Sequence, residues 1–374
     1  MIKIKKVITK SQWQTFLHLP WKIYKNDPYW VPPLLKDVKF CLDEKENPFY
    51  EHAYRELFLA YKNEEALGRI VAIVDENYND YHHEKIGWFG FLETVNDFTV
   101  ISALIDIVKE YLAHFGIKYL YGPVNPSTNE TCGLLVEGFD DPPCFLMAYN
   151  PPYYAQLLEK CGFKKIKDLL AYETSLPFSK TLLQRFENIC ICLKNRYPEL
   201  KVRHIYMEDF EKELKRIQEV YNEAWSRNWG FVPMTEAEIR KMAERLKPLV
   251  VPEFVWLAEI REEPIAFMMF LPDYFQVFRH LNGRFFLLNW LKFFWYQRKI
   301  NRIRVVTLGV KRQYHHSGVV PLFLLQAGKT LLKFPYKHLE FSWILEDNLP
   351  VIRIAELINA SLKKRYRIYG IKIN

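Results

Sequence analysis

The spacing of hydrophobic residues predicts alternating strands and helices in the first half of the chain. Apolar residues that alternate with polar ones indicate strands, because alternate side chains of a strand lie on one face. The predicted strands span residues 2–7, 56–61, 67–74, 86–92, 119–121 and 171–174. Apolar residues at helical spacing indicate helices. The predicted helices lie behind a cap at Ser11, behind a cap at Asn96 or Asp97, and at 153–160.

The second half repeats this order of elements. Its predicted strands span 202–205, 254–260, 264–271, 304–308, 338–343 and 365–371, and its predicted helices span 208–225, 235–246, 319–332 and 350–358. The second half has the order β, α, α, β, β, β, α, β, α, β, and the first half has the same order with one helix fewer before its second strand, which indicates an α/β fold with a mixed sheet in each half. We predict an N-terminal domain at 1–177, a linking helix within 178–200 and a C-terminal domain at 201–374.

The composition excludes several classes of protein. The chain has 374 residues, of which 49% are hydrophobic, and 52 basic against 44 acidic residues give a net charge of +8. This charge is too small for a dedicated nucleic-acid binder and suits an anionic cofactor or a membrane surface. Six scattered cysteines and an N-terminus without an apolar run indicate a cytoplasmic protein. We expect no metal site, because no set of histidines or cysteines has ligand spacing.

A short basic loop with one glycine joins the predicted strand at 304–308 to the predicted helix at 319–332. Backbone N–H groups at the start of a helix and the positive end of its dipole stabilise a bound phosphate. Lys311 and Arg312 add positive charge to this loop. We therefore predict a diphosphate site there. The alternative is an ordinary connection, because a strand, a loop with one glycine and a helix follow one another in many α/β proteins.

The loop resembles the acyl-CoA loop of the GNAT acyltransferases, in which an Arg/Gln-x-x-Gly-x-Gly/Ala pattern wraps the diphosphate of coenzyme A. Gly318 matches the pattern, whereas His315 stands at the Arg or Gln position and Val320 at the last small position. Longer segments are similar to a bacterial family of GNAT-type acyl-CoA N-acyltransferases with tandem domains, and more distantly to the bacterial ceramide synthases. These segments are 26–33, 47–52, 122–130, 133–140, 149–154 and 342–348.

The resemblance implies two tandem GNAT-like domains and transfer of an acyl group from acyl-CoA or acetyl-CoA to an amine. It implies catalytic roles for Glu346 and for Tyr366, the latter as the acid that protonates the leaving thiolate. The residues expected to bind the cofactor are Val310, Lys311, Arg312, His315, Ser317, Gly318, Val319 and Asn348. In the alternative interpretation, Glu346 or Asp347 caps the helix ahead of Pro350, and Tyr366 is a half-buried strand residue.

The N-terminal domain is predicted not to bind coenzyme A. Its corresponding loop contains Glu93 and Asp97, with no glycine and no cation, and would repel a diphosphate. The domain is instead expected to contribute the acceptor side of a cleft through the long loops at 125–139 and 149–154, with a plug between the domains as the alternative. The predicted acceptor-binding residues are Asn125, Asn129, Glu130 and Tyr149.

Aromatic residues dominate the run Phe285 to Tyr296, which is followed by Arg298 and Lys299. The run is shorter than the roughly 20 residues needed to span a bilayer. It suits peripheral contact with a membrane, a lid over an acyl chain, or a core helix. We predict an acyl-CoA-dependent N-acyltransferase with a small-molecule or lipid amine as acceptor. The alternative is a non-catalytic GNAT-like module that binds a lipid or a protein.

Overall fold

The computed structural model describes residues 1–286, 289–315 and 317–373. The strands are β1 (Lys3–Lys6), β2 (Ala53–Lys62), β3 (Glu65–Asp75), β4 (Ile86–Thr94), β5 (Tyr119–Gly122), β6 (Val124–Asn125), β7 (Thr131–Cys132), β8 (Leu134–Glu137), β9 (Lys164–Ser175), β10 (Leu200–His204), β11 (Val255–Ile260), β12 (Glu263–Pro272), β13 (Arg302–Val310), β14 (His338–Leu345) and β15 (Ser361–Lys372). The helices are α1 (Lys10–Ile23), α2 (Leu35–Cys41), α3 (Glu76–His82), α4 (Phe98–Ala113), α5 (Tyr153–Lys160), α6 (Lys180–Arg196), α7 (Phe210–Trp225), α8 (Glu236–Leu246), α9 (Phe275–Phe278), α10 (Asn289–Gln297), α11 (Val319–Leu331) and α12 (Leu349–Leu357).

The chain forms two compact units. Unit 1 comprises Met1–Leu170, Phe278–Phe293 and the segment from Lys364 onward, and unit 2 comprises Ala171–Val277 and Phe294–Lys363. Each unit is a mixed α/β structure, as the sequence predicts. No helix within the described ranges is both long enough and apolar enough to cross a membrane.

The sheet of unit 1 has the strand order β1-β2-β3-β4-β5-β15, and β8 also pairs with β15. α4 packs on this sheet through an apolar stripe that includes the buried residues Val100, Leu104 and Val108. Gly68 of β3 allows the close approach, because a Cβ atom there would lie 2.8 Å from the Leu104 side chain. The predicted helical spacing of these residues therefore marks the core face of α4.

The sheet of unit 2 has the strand order β14-β13-β12-β11-β10. β13 and β14 run parallel, and the other neighbours run antiparallel. α7 covers one face of the sheet, where Val220 packs against Leu257 and Phe267. The pairing in this sheet changes from antiparallel to parallel at β13, which pairs antiparallel with β12 and parallel with β14.

The two units differ from the predicted domains in sequence range. The boundary falls between Leu170 and Ala171, ahead of the predicted limit at residue 177, and the end of the chain belongs to unit 1. The reason is strand pairing: Tyr369 of β15 lies opposite Gly122 of β5, and Arg367 lies opposite Leu134 of β8. The last strand was expected to complete the C-terminal domain. Hydrophobic spacing identifies a strand but does not identify its partners.

Two local predictions need correction. The cap of α1 is Thr9 instead of Ser11, because the Thr9 hydroxyl accepts a hydrogen bond from the Gln12 N–H group in a capping box. The loop at 125–139 contains short strands, of which β6 and β7 form a two-stranded sheet.

Candidate functional site

The parallel strands β13 and β14 part halfway along their length. They pair from Arg302 opposite His338 to Val305 opposite Phe341, and no later pair joins them within the described residues. β13 also has a bulge against β12, since Val306 is an extra residue between Val305 and Thr307. Residues 306–308 are half-exposed although β13 is an inner strand. We call the opening between residues 306–310 of β13 and 342–345 of β14 the unit 2 cleft.

A buried polar cluster lies where the strands part. The Ser342 hydroxyl donates to a Glu340 carboxylate oxygen at 2.5 Å, and Arg304 donates to the Ser342 hydroxyl at 2.8 Å and to its carbonyl at 2.9 Å. All three residues are buried. None of the three is among the predicted site residues, although an arginine and a glutamate on otherwise apolar strands are a sequence signal of a buried polar cluster.

The loop that follows β13 connects this strand to the start of α11. Gly318 is the N-cap residue of α11 with φ of +88°, and the Ser317 hydroxyl accepts a hydrogen bond from the Val319 N–H group. No acidic residue lies in the first turn. A Cβ atom on Gly318 would lie 3.4 Å from the Ile189 side chain, which is an ordinary van der Waals contact. This helix start has the features that stabilise an anion.

The two predicted cations of the loop have different environments. Lys311 is only 3% exposed, and its ammonium group is bonded to the carboxylates of Glu219 and Glu263. Burial alone would lower the pKa of Lys311, but the hydrogen bonds and charges of the two carboxylates raise it above its ordinary value. Arg312 is exposed, and no ion pair joins it to another described residue. The charge of Lys311 is therefore already neutralised, whereas that of Arg312 is available.

His315 and Asn348, two further residues predicted to bind the cofactor, make hydrogen bonds within unit 2. A ring nitrogen of His315 lies 3.0 Å from the carbonyl oxygen of Val310, so the imidazole closes the loop on itself. The neighbouring His316 lies outside the described residues. Asn348 caps α12 by accepting a bond from the Val351 N–H group at 3.4 Å, a role that the sequence analysis gave to Glu346 or Asp347.

The two predicted catalytic residues belong to different units. Glu346 follows β14 in unit 2 and is half-buried. Tyr366 lies on β15 in unit 1 and is fully buried, with the Cβ position of Gly133 3.0 Å from its own Cβ atom. The burial of Tyr366 fits the interpretation as a strand residue, and neither catalytic role is tested by this geometry.

The equivalent parting in unit 1 is filled by the chain itself. β4 and β5 pair only from Ile86 to Trp88 of β4, and β4 has a bulge in which Phe91 adopts φ of +50°. The Phe91 N–H group donates to the side-chain oxygen of Asn125 at 2.6 Å. A Cβ atom on Gly90 would lie 1.8 Å from the carbonyl oxygen of Val124, so this segment presses directly on β4. Asn125, a predicted acceptor-binding residue, thus satisfies a backbone donor inside its own unit.

The two acidic residues of the predicted loop in unit 1 have different environments. Glu93 is half-buried: its carboxylate accepts from the Tyr154 hydroxyl at 2.9 Å and lies 3.7 Å from the Arg69 guanidinium. Burial raises the pKa of Glu93 above its ordinary value. Asp97 instead caps α4, accepting from the Thr99 N–H group at 2.8 Å. An internal carboxylate therefore occupies the helix start in unit 1, whereas the equivalent helix start in unit 2 has Gly318.

The other predicted acceptor-binding residues lie on the same loops of unit 1. The Tyr149 hydroxyl is 3.0 Å from both carboxylate oxygens of Asp27, and burial raises the pKa of Tyr149. The backbone N–H groups of Asn129 and Glu130 donate to the hydroxyl and the carbonyl oxygen of Ser127. The loops are thus tied down by internal hydrogen bonds, and the acceptor-binding role of their side chains stays a prediction.

Two curated proteins are similar to the chain over nearly its whole length. Protein YghO of Escherichia coli (strain K12) is 33% identical over 380 residues, covering 98% of this chain and 94% of YghO. The bacterial ceramide synthase of Caulobacter vibrioides (strain NA1000 / CB15N) is 32% identical over 375 residues, covering 97% of this chain and 95% of the synthase. No protein-family model matches the chain.

Solved structures of low identity share the fold. A tandem GNAT protein from the clavulanic acid biosynthesis pathway has a TM-score of 0.58 at 10% identity and covers 100% of this chain and 99% of its own. A GCN5-related N-acetyltransferase from Sphaerobacter thermophilus has a TM-score of 0.55 at 11% identity, covering 100% and 96%. The predicted fold of two tandem GNAT-like domains is therefore confirmed. The chain belongs to the family of tandem GNAT-fold proteins that includes YghO and the bacterial ceramide synthase.

Proposed function

We propose that the protein is an acyl-CoA-dependent N-acyltransferase whose unit 2 cleft holds the acyl donor. The observation that supports this most is the parting of β13 and β14 after Val305, which leaves half-exposed strand residues in the middle of a sheet. Backbone groups at such a position need partners, and the amides of a pantetheine arm supply them as an added strand would. The loop after β13 ends at Gly318, where the start of α11 suits the diphosphate.

On the same grounds, we assign unit 1 no role in binding the acyl donor. Its parting is occupied by Val124 and Asn125, and its helix start is capped by the carboxylate of Asp97. One acyl donor per chain is therefore expected. The acetyl or longer acyl form of the donor and the identity of the amine are the finer parts of this proposal.

The proposed reaction forms one bond and breaks one bond at the thioester carbon. The nitrogen lone pair of a neutral amine attacks the carbonyl carbon, the C–S bond breaks, the amine nitrogen loses a proton, and the thiolate of coenzyme A takes up a proton. Glu346 is the proposed proton acceptor, because its carboxylate follows β14 beside the unit 2 cleft and is half-buried. Backbone N–H groups at the Val306 bulge are the proposed donors to the developing oxyanion.

The proposed acceptor is a long-chain amine. A relative that is 32% identical over 97% of this chain is named a ceramide synthase, and ceramide formation joins an acyl chain to an amine of a lipid. The test is release of the coenzyme A thiol from palmitoyl-CoA and from acetyl-CoA, with sphinganine or with 2-aminoethanol as the amine. We expect thiol release that depends on sphinganine. Release at the same rate without any amine would contradict the proposal.

A second function, binding without turnover, has its own support. The charge of Lys311 is neutralised by ion pairs with Glu219 and Glu263, and His315 stands at the position where the GNAT loop has Arg or Gln. These two differences from the GNAT acyl-CoA loop lower the expected affinity for a diphosphate. If palmitoyl-CoA binds but no thiol is released with either amine, the protein is better described as a non-catalytic binding module.

Substitutions of the two loop cations are expected to have different effects. Arg312→Ala should raise the Kd for palmitoyl-CoA about tenfold, and less so in about 1 M salt, because an exposed charge is screened there. Lys311→Met should lower the free energy of unfolding by about 1–2 kcal/mol, because Glu219 and Glu263 lose their buried partner. Its effect on binding should be smaller than that of Arg312→Ala. Calorimetric titration and chemical unfolding measure both, and equal losses of affinity would contradict the assignment.

The hydroxyl of Thr307 gives a test within the unit 2 cleft. The atom is buried and has no hydrogen-bond partner among the described residues. Thr307→Val should therefore change the free energy of unfolding by less than about 0.5 kcal/mol, while the Kd for acyl-CoA rises up to about tenfold through loss of one hydrogen bond to the ligand.

A matched control is Thr174→Val in the same unit. The Thr174 hydroxyl donates to the Ile358 carbonyl oxygen at 2.9 Å, so this variant should lose about 1–3 kcal/mol of stability. Its acyl-CoA affinity should be unchanged. Unchanged affinity in Thr307→Val would contradict contact between this hydroxyl and the donor.

A further inference from the structure

The helix α10 presents large apolar side chains to solvent. Trp290, Leu291, Phe294 and Trp295 are 50%, 73%, 54% and 61% exposed. They fall on one side of the helix, because positions three and four residues apart share a face. We call these four residues the α10 surface. A contiguous exposed apolar patch on a helix marks a place where another apolar phase docks.

The opposite side of α10 is also apolar but faces the protein. Phe293 and Tyr296 lie on that side and are half-buried. Because large apolar residues lie on both sides, the helix is hydrophobic around most of its circumference. A helix with that composition is normally buried on all sides. Here only one side is covered by described residues, and the α10 surface is the side that is left exposed.

The sequence segment that contains the α10 surface carries charge of one sign. No Asp or Glu occurs in the sequence between Asp273 and Glu340. Four cations next to the apolar residues are exposed, namely Arg284, Lys292, Arg298 and Lys299. The ammonium group of Lys299 lies 4.9 Å from the centre of the Trp295 ring, so charge and aromatic surface are adjacent. Aromatic rings rimmed by cations are complementary to the interface of a membrane with anionic lipids.

We propose that the α10 surface docks this protein onto an anionic membrane surface. α10 is about 14 Å long at the usual rise per residue, so the helix lies in the headgroup region and does not span the bilayer. Tryptophan suits that depth, because its ring is apolar and its N–H group is polar. The cations then meet lipid phosphates while the apolar side chains enter the acyl boundary.

A second copy of the chain fits the α10 surface less well. A symmetric dimer places the same patch on both sides of its interface, so the four cations would face four cations with no carboxylate between Asp273 and Glu340 to offset them. A membrane with anionic headgroups offers the opposite charge. Membrane docking can be measured in the absence of an acyl donor. Its result is therefore independent of the proposed acyl transfer.

The test is co-flotation of the full chain with vesicles of phosphatidylcholine, alone or with about one third phosphatidylglycerol. The full chain should float with the anionic vesicles and much less with the neutral ones, and about 1 M salt should weaken the binding. The double variant Phe294→Ala/Trp295→Ala should partition on the order of a hundredfold less, about tenfold for each aromatic residue. Lys292→Glu/Arg298→Glu should lose the preference for anionic vesicles.

The matched control is Ile191→Ala/Leu332→Ala, which removes two apolar side chains that are each 60% exposed elsewhere in the chain. This control should bind vesicles like the unaltered protein. The proposal is overturned if the unaltered protein does not bind anionic vesicles, or if Phe294→Ala/Trp295→Ala binds as well as the control. It is also overturned if sedimentation shows a dimer that this double variant dissociates, since the surface would then be covered by a second copy.

Discussion

Replacing Gly318 with aspartate is expected to reduce acyl-CoA affinity at least about 100-fold, which corresponds to about 2.7 kcal/mol. The substitution adds a negative charge at the helix start where the diphosphate is proposed to bind. Two unit charges about 4 Å apart at a protein surface repel by about 4 kcal/mol. The diphosphate has more than one negative charge, so its repulsion by the introduced aspartate exceeds that between two unit charges and the 100-fold loss of affinity is a lower bound.

The Gly318→Asp variant should still fold. Gly318 has φ of +88°, which costs an L-residue about 1 kcal/mol, and aspartate and asparagine adopt this conformation more readily than other non-glycine residues. Gly318→Asn is the control, because it has the same size and backbone strain without the charge. Calorimetric titration with palmitoyl-CoA should give Gly318→Asn a loss within about tenfold, and equal affinities for both variants would contradict an anion site at this turn.

Neutralising Asp168 is expected to give the largest loss of stability. Asp168 is only 2% exposed on β9 and accepts from Arg367 at 2.7 Å and 3.1 Å, with Lys165 at 3.1 Å and Arg365 at 3.4 Å. Asp168→Asn leaves these cations without a full counter-charge, which should cost about 3 kcal/mol. The thermal midpoint of unit 1 should fall by roughly 10 °C.

The loss should depend on pH in a defined direction. Burial alone would raise the pKa of Asp168, but hydrogen bonds from Arg367 and Lys165 and their charges lower it below its ordinary value. A depressed folded pKa gives stability that is present above the unfolded value of about 3.9 and is lost as pH falls through the lower folded value. The difference between the unaltered protein and Asp168→Asn should therefore be full near neutral pH and shrink below about pH 4.

The exposed pair of Lys22 and Glu65 provides the control for this substitution. The two groups are 2.6 Å apart and both are largely exposed, so Glu65→Gln should change the free energy of unfolding by less than about 1 kcal/mol. Chemical unfolding of both variants across pH 3 to 8 would measure the difference. Equal stability of Asp168→Asn and Glu65→Gln would contradict a structural role for the buried cluster.

Local periodicity predicted the elements well. α5 runs from Tyr153 to Lys160 as predicted, and α11 begins at the predicted Val319. Strands on apolar alternation, such as β3 and β4, were also placed within a few residues. These elements depend on neighbouring residues in the sequence, which is the information that spacing provides.

Long-range contacts decided what the sequence left open. Lys311 and Arg312 are adjacent and both positively charged at neutral pH, and the positions of Glu219 on α7 and Glu263 on β12 decide which of the two charges is neutralised. The pairing of β15 within unit 1 and the bond from Phe91 to Asn125 have the same origin. Such partners are distant in the sequence, so no local pattern records them.

Nothing in the local sequence predicts the parting of β13 and β14. Neither strand has a residue that ends pairing by itself, and Val306 is an ordinary strand residue in sequence terms. The buried cluster of Arg304, Glu340 and Ser342 was not foreseen, because its three members come from two strands whose register had to be known first.

A crystal structure of the full chain with palmitoyl-CoA is the most direct test of the proposed donor site. We expect one ligand per chain, with its diphosphate at the Gly318 turn, Arg312 near it, and the pantetheine arm along residues 306–310 of β13. A ligand bound against β4 in unit 1, or a unit 2 cleft that excludes the ligand at saturating concentration, would contradict the assignment of the acyl donor to unit 2.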